Sequence, residues 1–219
     1  MRQRKAKDLE KRLQACSTYM VYPGSDGNKE YFRNGNPVFV EIGCGKGQFI
    51  INKAISEPEC NFIAVEGQET VILRALEKAR LRDEQERKNG GRGLSNLKFM
   101  LTFVDDMDEI FCPGQLSGIY LNFSDPWPKA RHAKRRLTYR ERLVNYGRSL
   151  KKGGFIEIKT DNDDLFMFTL DEIEAVGFNI VRQTRDLHAS IYAAANITTE
   201  YEDRFDAEGK NINYVKVTV

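Results

Sequence analysis

Two short apolar runs, VFVEI at residues 38–42 and NFIAVE at 61–66, flank a glycine-rich turn and a stretch of helical spacing. That arrangement restricts the fold more than any other part of the chain. Strand, crossover helix and strand in this order make a βαβ unit, which builds a parallel sheet. The alternation continues downstream. Val71, Ile72, Ala75, Leu76 and Ala79 recur at helical period, and the helix they predict runs out in RDEQERK and stops at NGGRG. LKFMLTFV (97–104), GIYLNF (118–123) and GFIEIKTD (154–161) read as the third to fifth strands. A helix from about Asn162 to Val176 follows, then FNIVRQT and INYVKVTV (212–219) as further strands, with a polar segment between them. Six or seven strands interleaved with helices predict an α/β fold, a mostly parallel, doubly wound sheet of about seven strands. Such sheets bind ligands at the carboxyl ends of their strands.

With 219 residues, 41% of them hydrophobic, the chain suits one domain spanning 1–219, with the basic residues 1–15 as a separate arm or loose helix. Its four cysteines share no C-x-x-C spacing, and with only two histidines they are expected to be reduced and structural, with no metal site. The polar start MRQRKAKDLEKRLQ lacks the apolar core of a signal peptide, and no run has the length of a membrane span, so a cytoplasmic location is expected. Net charge is only +2, but seven Lys or Arg against one Glu lie between Lys129 and Arg142. Density alone leaves open a solvated helix face or a nucleic-acid patch.

In EIGCGKGQF, Gly43, Gly45 and Gly47 separate the first strand from the first helix, where missing side chains let a ligand approach the backbone. Gln48 stands where the dinucleotide fingerprint G-x-G-x-x-G needs its third glycine, and the P-loop spacing is absent. The pattern E-x-G-x-G-x-G resembles that of S-adenosylmethionine-dependent methyltransferases of Rossmann-like class I. That resemblance implies that Glu41 belongs to the methionine end of the cofactor, with its cationic amino group; a helix cap or a lysine partner is the alternative. Glu66, ending the second strand, can accept both hydroxyls of a ribose. NAD would use the same acid, so the glycine spacing chooses.

The fourth strand ends in SDPW and runs into PKARHAKRR. Proline stiffens such a turn, so an acid and an indole are held with little entropy left to lose when a base binds. Asp125 can accept from a base edge, Trp127 can stack on a purine, and the cations that follow can contact phosphates; a tight turn over a core Trp is the structural alternative.

YLNFSDPWPKARHAKRRLTY, EIGCGKGQFI, IEIKTDN and TTEYEDRF together resemble the bacterial tRNA (guanine-N(7)-)-methyltransferase, or TrmB, family, in collinear order over about residues 38–218. The resemblance implies methyl transfer from S-adenosylmethionine to N(7) of a variable-loop guanine in tRNA, without a metal. It implies cofactor contacts at Glu41, Gly43, Gly45, Gly47, Glu66 and Asp125, with Asp125 also catalytic. Substrate contacts would fall at Lys129, Asp161, Thr199, Glu200, Tyr201 and Glu202, and RNA contacts at Arg131, His132, Ala133, Lys134, Arg135 and Arg136. Asp125, Asp161 and Glu202 would hold the guanine N–H edge, with His132 and His188 as contacts rather than proton shuttles. Where the family has Asp-Ala after its third strand this chain has Phe103-Val104, so Asp105 or Asp106 would reach the adenine only if the loop shifts; Asp105 is taken as that contact. Another methyltransferase target, or a non-catalytic RNA-binding protein on the same fold, stays open, as do monomer and homodimer.

Overall fold

Buried apolar strands set the N-terminal part of the fold, and an antiparallel hairpin sets the C-terminal part. The protein is described here by a computed structural model covering residues 7–23 and 29–219. It divides into two units, Met1–Asp105 and Asp106–Val219.

The first unit contains α1 (Leu9–Gln14), β1 (Val38–Ile42), α2 (Gln48–Ser56), β2 (Asn61–Glu66), α3 (Glu69–Lys88) and β3 (Leu97–Leu101). Its strands lie in the order β3-β2-β1, all parallel, with Val40 opposite Ile63 and Ala64 opposite Phe99. In the central strand β2, Phe62, Ile63, Ala64 and Val65 are all buried, the continuous apolar run of a strand covered on both faces. Along α3 the buried stripe is Ile72, Leu73, Ala75, Leu76 and Ala79, and it ends on a buried acid, Asp83. Burial opposes the charge of Asp83, but bonds from Arg87, the Leu94 amide and Tyr19 prevail and hold its carboxyl below the ordinary range. Of the expected N-terminal arm, residues 1–6 lie outside the described residues. In α1, Leu9 is buried and Arg12 donates through Nε and Nη2 to Glu77 on α3, each at 2.8 Å.

The second unit contains β4 (Leu116–Asn122), α4 (Arg140–Ser149), β5 (Leu150–Thr160), α5 (Asp163–Val176), β6 (Asn179–Thr184), α6 (Glu200–Ala207) and β7 (Asn213–Thr218). The strand order is β4-β5-β7-β6; β4 and β5 are parallel, and β7 runs antiparallel to both its neighbours. The fold is thus the expected α/β class with seven strands, mostly parallel, closed by an antiparallel pair. Asn162 caps α5 by accepting from the Leu165 amide at 2.7 Å, and Gly177 ends the helix at φ +74°. Helices α4 and α5 are joined by a buried acid, Glu172, which accepts from the Arg140 amide at 2.6 Å and from its guanidinium at 2.7 and 3.0 Å. Those bonds from Arg140 pull the Glu172 carboxyl below its usual value against the effect of burial.

Three elements depart from the sequence expectation. β3 stops at Leu101: the Thr102 amide makes the last ladder bond, to the Glu66 carbonyl, and beyond it Phe103 turns out to solvent. Helices α4 and α6 are not anticipated by the sequence: in α4 only Leu143, Tyr146 and Ser149 are buried, a stripe too thin to read. Cys16 and Cys44 are buried, whereas Cys112, expected to be structural, is exposed; none of the four cysteines is in a disulfide. Among the described residues, no helix is long and apolar enough to cross a membrane, and no group of His, Cys, Asp or Glu is arranged to hold a metal.

Candidate active site

The glycine loop of the first unit is built from the end of β2. Glu66 Oε2 accepts from the Gly45 amide at 3.2 Å and its Oε1 from the Gln68 amide at 3.0 Å, so the acid pins the loop. Gly43 and Gly45 have φ of +80° and +56°, and a Cβ on either would meet nothing within 4 Å. Their glycines answer a left-handed backbone and face open space, which is what a ligand cradle requires. Gly47, at φ +80°, serves packing as well: its Cβ would come within 2.9 Å of Ala75 Cβ, so it lets α2 lie close against α3. Glu41 is buried at the end of β1. A buried carboxylate, open left-handed glycines and a carboxylate on the next strand fit the amino-acid and ribose groups of S-adenosylmethionine. Asp105 is exposed, while Asp106 is committed elsewhere, accepting from the Asp108 amide at 2.9 Å and from Asn145 Nδ2 at 2.8 Å.

In the second unit, β4 and β5 bring Asp125 and Asp161 to the same end of two adjacent strands, with Asn122 opposite Lys159 and the Phe123 amide bonded to the Lys159 carbonyl at 2.8 Å. The turn between is bent at two bulky residues, Phe123 at φ +50° and Trp127 at φ +42°. Left-handed backbone at a non-glycine residue stores about 1–2 kcal/mol, and it persists only where neighbours hold it. Arg136 is such a holder: Nε donates to the Pro126 carbonyl at 3.0 Å, Nη2 to the Trp127 carbonyl at 3.1 Å, and its guanidinium lies 4.2 Å from the centre of the Phe168 ring. Arg135 sits over the Trp127 ring at 4.9 Å and His132 meets that ring edge-on at 5.7 Å. One face of the expected purine platform is therefore already taken by an arginine.

Of the cationic block, Lys129, Arg131, Lys134 and Arg135 are exposed, while His132, Ala133 and Arg136 are half-buried in or beside the 3-10 turn Ala130–Arg135. Lys134 reaches Glu141 at 3.5 Å, an exposed pair of little energetic weight.

The TTEYE segment has a structural role that spacing could have revealed. Thr199-x-x-Glu202 is the capping-box spacing, and Thr199 Oγ1 accepts from the Glu202 amide at 3.0 Å at the start of α6. Glu202 is fully buried. Its carboxylate meets Lys159 Nζ at 3.0 Å and His188 Nε2 at 2.8 Å, and accepts from Asn196. Lys159 also donates to Asn196 Oδ1 at 2.6 Å and to the Ile197 carbonyl at 2.8 Å. Glu200 is half-buried, and Tyr201 is 58% exposed, its ring stacked on Phe123 at 6.4 Å. Phe123 and Phe205 in turn pack on the buried cluster of Leu187, Ile212 and Tyr214. Sequence reasoning passes over Arg136 as a holder of the turn, Lys159 as the partner of Glu202, and Phe123 as a strained support.

Comparison with known proteins gives the family and the fold. The family model Methyltransf_4, described as a putative methyltransferase, matches residues 35–215. A tRNA (guanine-N(7)-)-methyltransferase of Mesoplasma florum is 50% identical over 81% of this chain and 78% of its own length. One from Brevibacillus brevis is 43% identical over 100% of this chain and 98% of its own. An antibiotic-related methyltransferase has the same fold with a TM-score of 0.64, at 20% identity over 93% of this chain and 97% of its own. The 16S rRNA methyltransferase KamB does so at 0.59, with 12% identity over 100% and 96%. Likeness at that level of identity speaks for the Rossmann-like class I methyltransferase fold alone, but matches at 43–50% identity over most of both chains do more, and the protein belongs to the tRNA (guanine-N(7)-)-methyltransferase family.

Proposed function

We propose that this chain methylates tRNA at N(7) of a variable-loop guanine, with S-adenosylmethionine as methyl donor, and that the whole chain acts as one cytoplasmic methyltransferase domain. The observation that carries it is the strained Asp125-Pro126-Trp127 turn, held from behind by Arg136 and followed at once by exposed cations, in a member of this family. S-adenosylmethionine supplies a methyl group on a sulfonium, which the lone pair of guanine N(7) accepts by direct displacement with no proton to remove.

The chain's own work is then positioning and charge. Glu41 would face the cofactor's ammonium and Glu66 its ribose, with the glycine loop against the methionine end. Asp125 and Asp161 would hold the guanine N–H edge and face the positive charge that the purine gains, which favours the transition state to the extent that they lie nearer the ring than the sulfonium. Lys129, Arg131, Lys134 and Arg135 would contact RNA phosphates, giving affinity without sequence readout. Glu202, enclosed by Lys159, His188 and Asn196, would act by holding Thr199–Tyr201 in place. The test is a methyl-transfer assay on bulk unmodified tRNA with nucleoside analysis of the product. 7-Methylguanosine is expected. A methylated exocyclic amino group would assign another target, and no transfer despite cofactor binding would leave an RNA-binding protein.

A further inference from the structure

Phe103 stands 71% exposed just beyond β3. A phenylalanine left so open loses the benefit of burial, so what supports it is informative. One side of its ring lies on Gly67, the residue after Glu66. A Cβ at position 67 would come within 2.3, 2.5 and 2.6 Å of three ring atoms. Gly67 is not among the positive-φ glycines, so its bare backbone serves to seat the ring rather than to make a turn. The result is a flat apolar surface, backed by main chain, one residue from the carboxylate that grips the glycine loop. A ribose held at Glu66 carries its base within a sugar's width of that acid, a few ångströms, about the span of one residue. Phenylalanine has no acceptor for a purine amino group, and Asp106 already serves Asp108 and Asn145.

We propose that Phe103 is the adenine shelf of the cofactor site, so that this chain recognises the purine by its face and leaves the exocyclic amino group unread by residue 103. The proposal rests on the assignment of Glu41, Glu66 and the glycine loop to S-adenosylmethionine. It makes Phe103 a specificity residue that tolerates changes at the purine edge.

The test is calorimetric titration of S-adenosylhomocysteine and its deaminated analogue S-inosylhomocysteine into the full chain, as wild type and as Phe103→Ala, Phe103→Trp, Phe103→Asp and Asp105→Ala. Positions 103 and 105 are exposed, so the variants should fold, and circular dichroism checks this. With Asp105→Ala as background, to remove the neighbouring acid, the chain should bind both ligands within about threefold, because residue 103 offers no hydrogen bond that separates them. Phe103→Ala should weaken both by about tenfold through reduced stacking, while Phe103→Trp keeps wild-type affinity. Phe103→Asp should favour the adenosyl ligand by about fivefold, the value of one amino hydrogen bond. Unchanged binding in Phe103→Ala, or a wild-type preference for the adenosyl form above about tenfold that persists in Asp105→Ala, overturns the proposal while leaving the cofactor site standing; a preference that Asp105→Ala removes assigns the purine edge to Asp105 and keeps the shelf. No binding of either ligand to wild type brings down both.

Discussion

Asp125 and Arg136 lie eleven positions apart on one turn, and the structure separates their roles. Asp125 is exposed at the tip and takes no part in the core, so Asp125→Ala should keep the wild-type melting temperature while methyl transfer falls to below about one per cent, the usual order for losing a group that meets developing charge. Arg136 faces inward. Arg136→Lys cannot bridge two carbonyls and stack on Phe168 at once, so it should reduce kcat and leave the salt dependence of tRNA binding nearly unchanged. By contrast, Arg131→Ala with Arg135→Ala should flatten that dependence by roughly 0.7–0.9 in slope for each phosphate no longer neutralised. Filter binding across a salt series separates the cases, and a slope change in Arg136→Lys would put that side chain on the RNA instead. Glu202 divides the same way. Glu202→Gln leaves Lys159 buried without its counter-charge and should destabilise the fold by about 3–5 kcal/mol. Normal stability with lost activity would mean that the carboxylate meets substrate rather than the protein interior.

At the scale of elements, the strands are largely legible in the sequence and some of the helices are not, for a physical reason. β1 and β2 are five and six residues long with apolar runs at their centres and an acid at or next to the end of each, so composition marks their ends to the residue. Helix α4 buries only Leu143, Tyr146 and Ser149 and is tied to α5 by Glu172 and Arg140, and α6 begins on Thr199, so polar contacts between distant residues supplement an apolar stripe thinner than that of α3. The site shows the same division. Glu41, Glu66, the glycines and Asp125 stand out because they follow strands, but no spacing tells that Arg136 turns inward, that Glu202 is fully enclosed, or that Gly67 seats a ring. The Glu172–Arg140 link also carries a pH dependence. Its carboxyl is depressed in the folded state, so its stabilisation is complete above the unfolded value of about 4.3 and is lost as pH falls through the lower folded value. Glu172→Gln should therefore melt below wild type at neutral pH, and the difference should close in acid. Thermal scans from pH 7 down to about 3 check the sign.

For the molecule as a whole, balanced charge and a local basic block imply two different salt responses. Binding of S-adenosylhomocysteine should barely change between about 50 and 200 mM salt, whereas tRNA affinity should fall steeply, by an order of magnitude or more for every few phosphates neutralised. A tRNA affinity as flat as that of the cofactor would place recognition away from the residues between Lys129 and Arg136. The strand order of the second unit carries a different consequence, one that concerns time. Among the described residues β6 pairs with β7 alone, and β7 in turn fills the space between β6 and β5. On the ribosome, Thr184 emerges well before Asn213, so at about 5–20 residues per second β6 waits seconds for its neighbour. During that interval Ile180 and Val181 belong to a strand with both edges open, and β5 lacks its antiparallel partner. Synthesis rate through this stretch, rather than the stability of the finished sheet, then sets how much nascent chain is lost to aggregation or captured by chaperones.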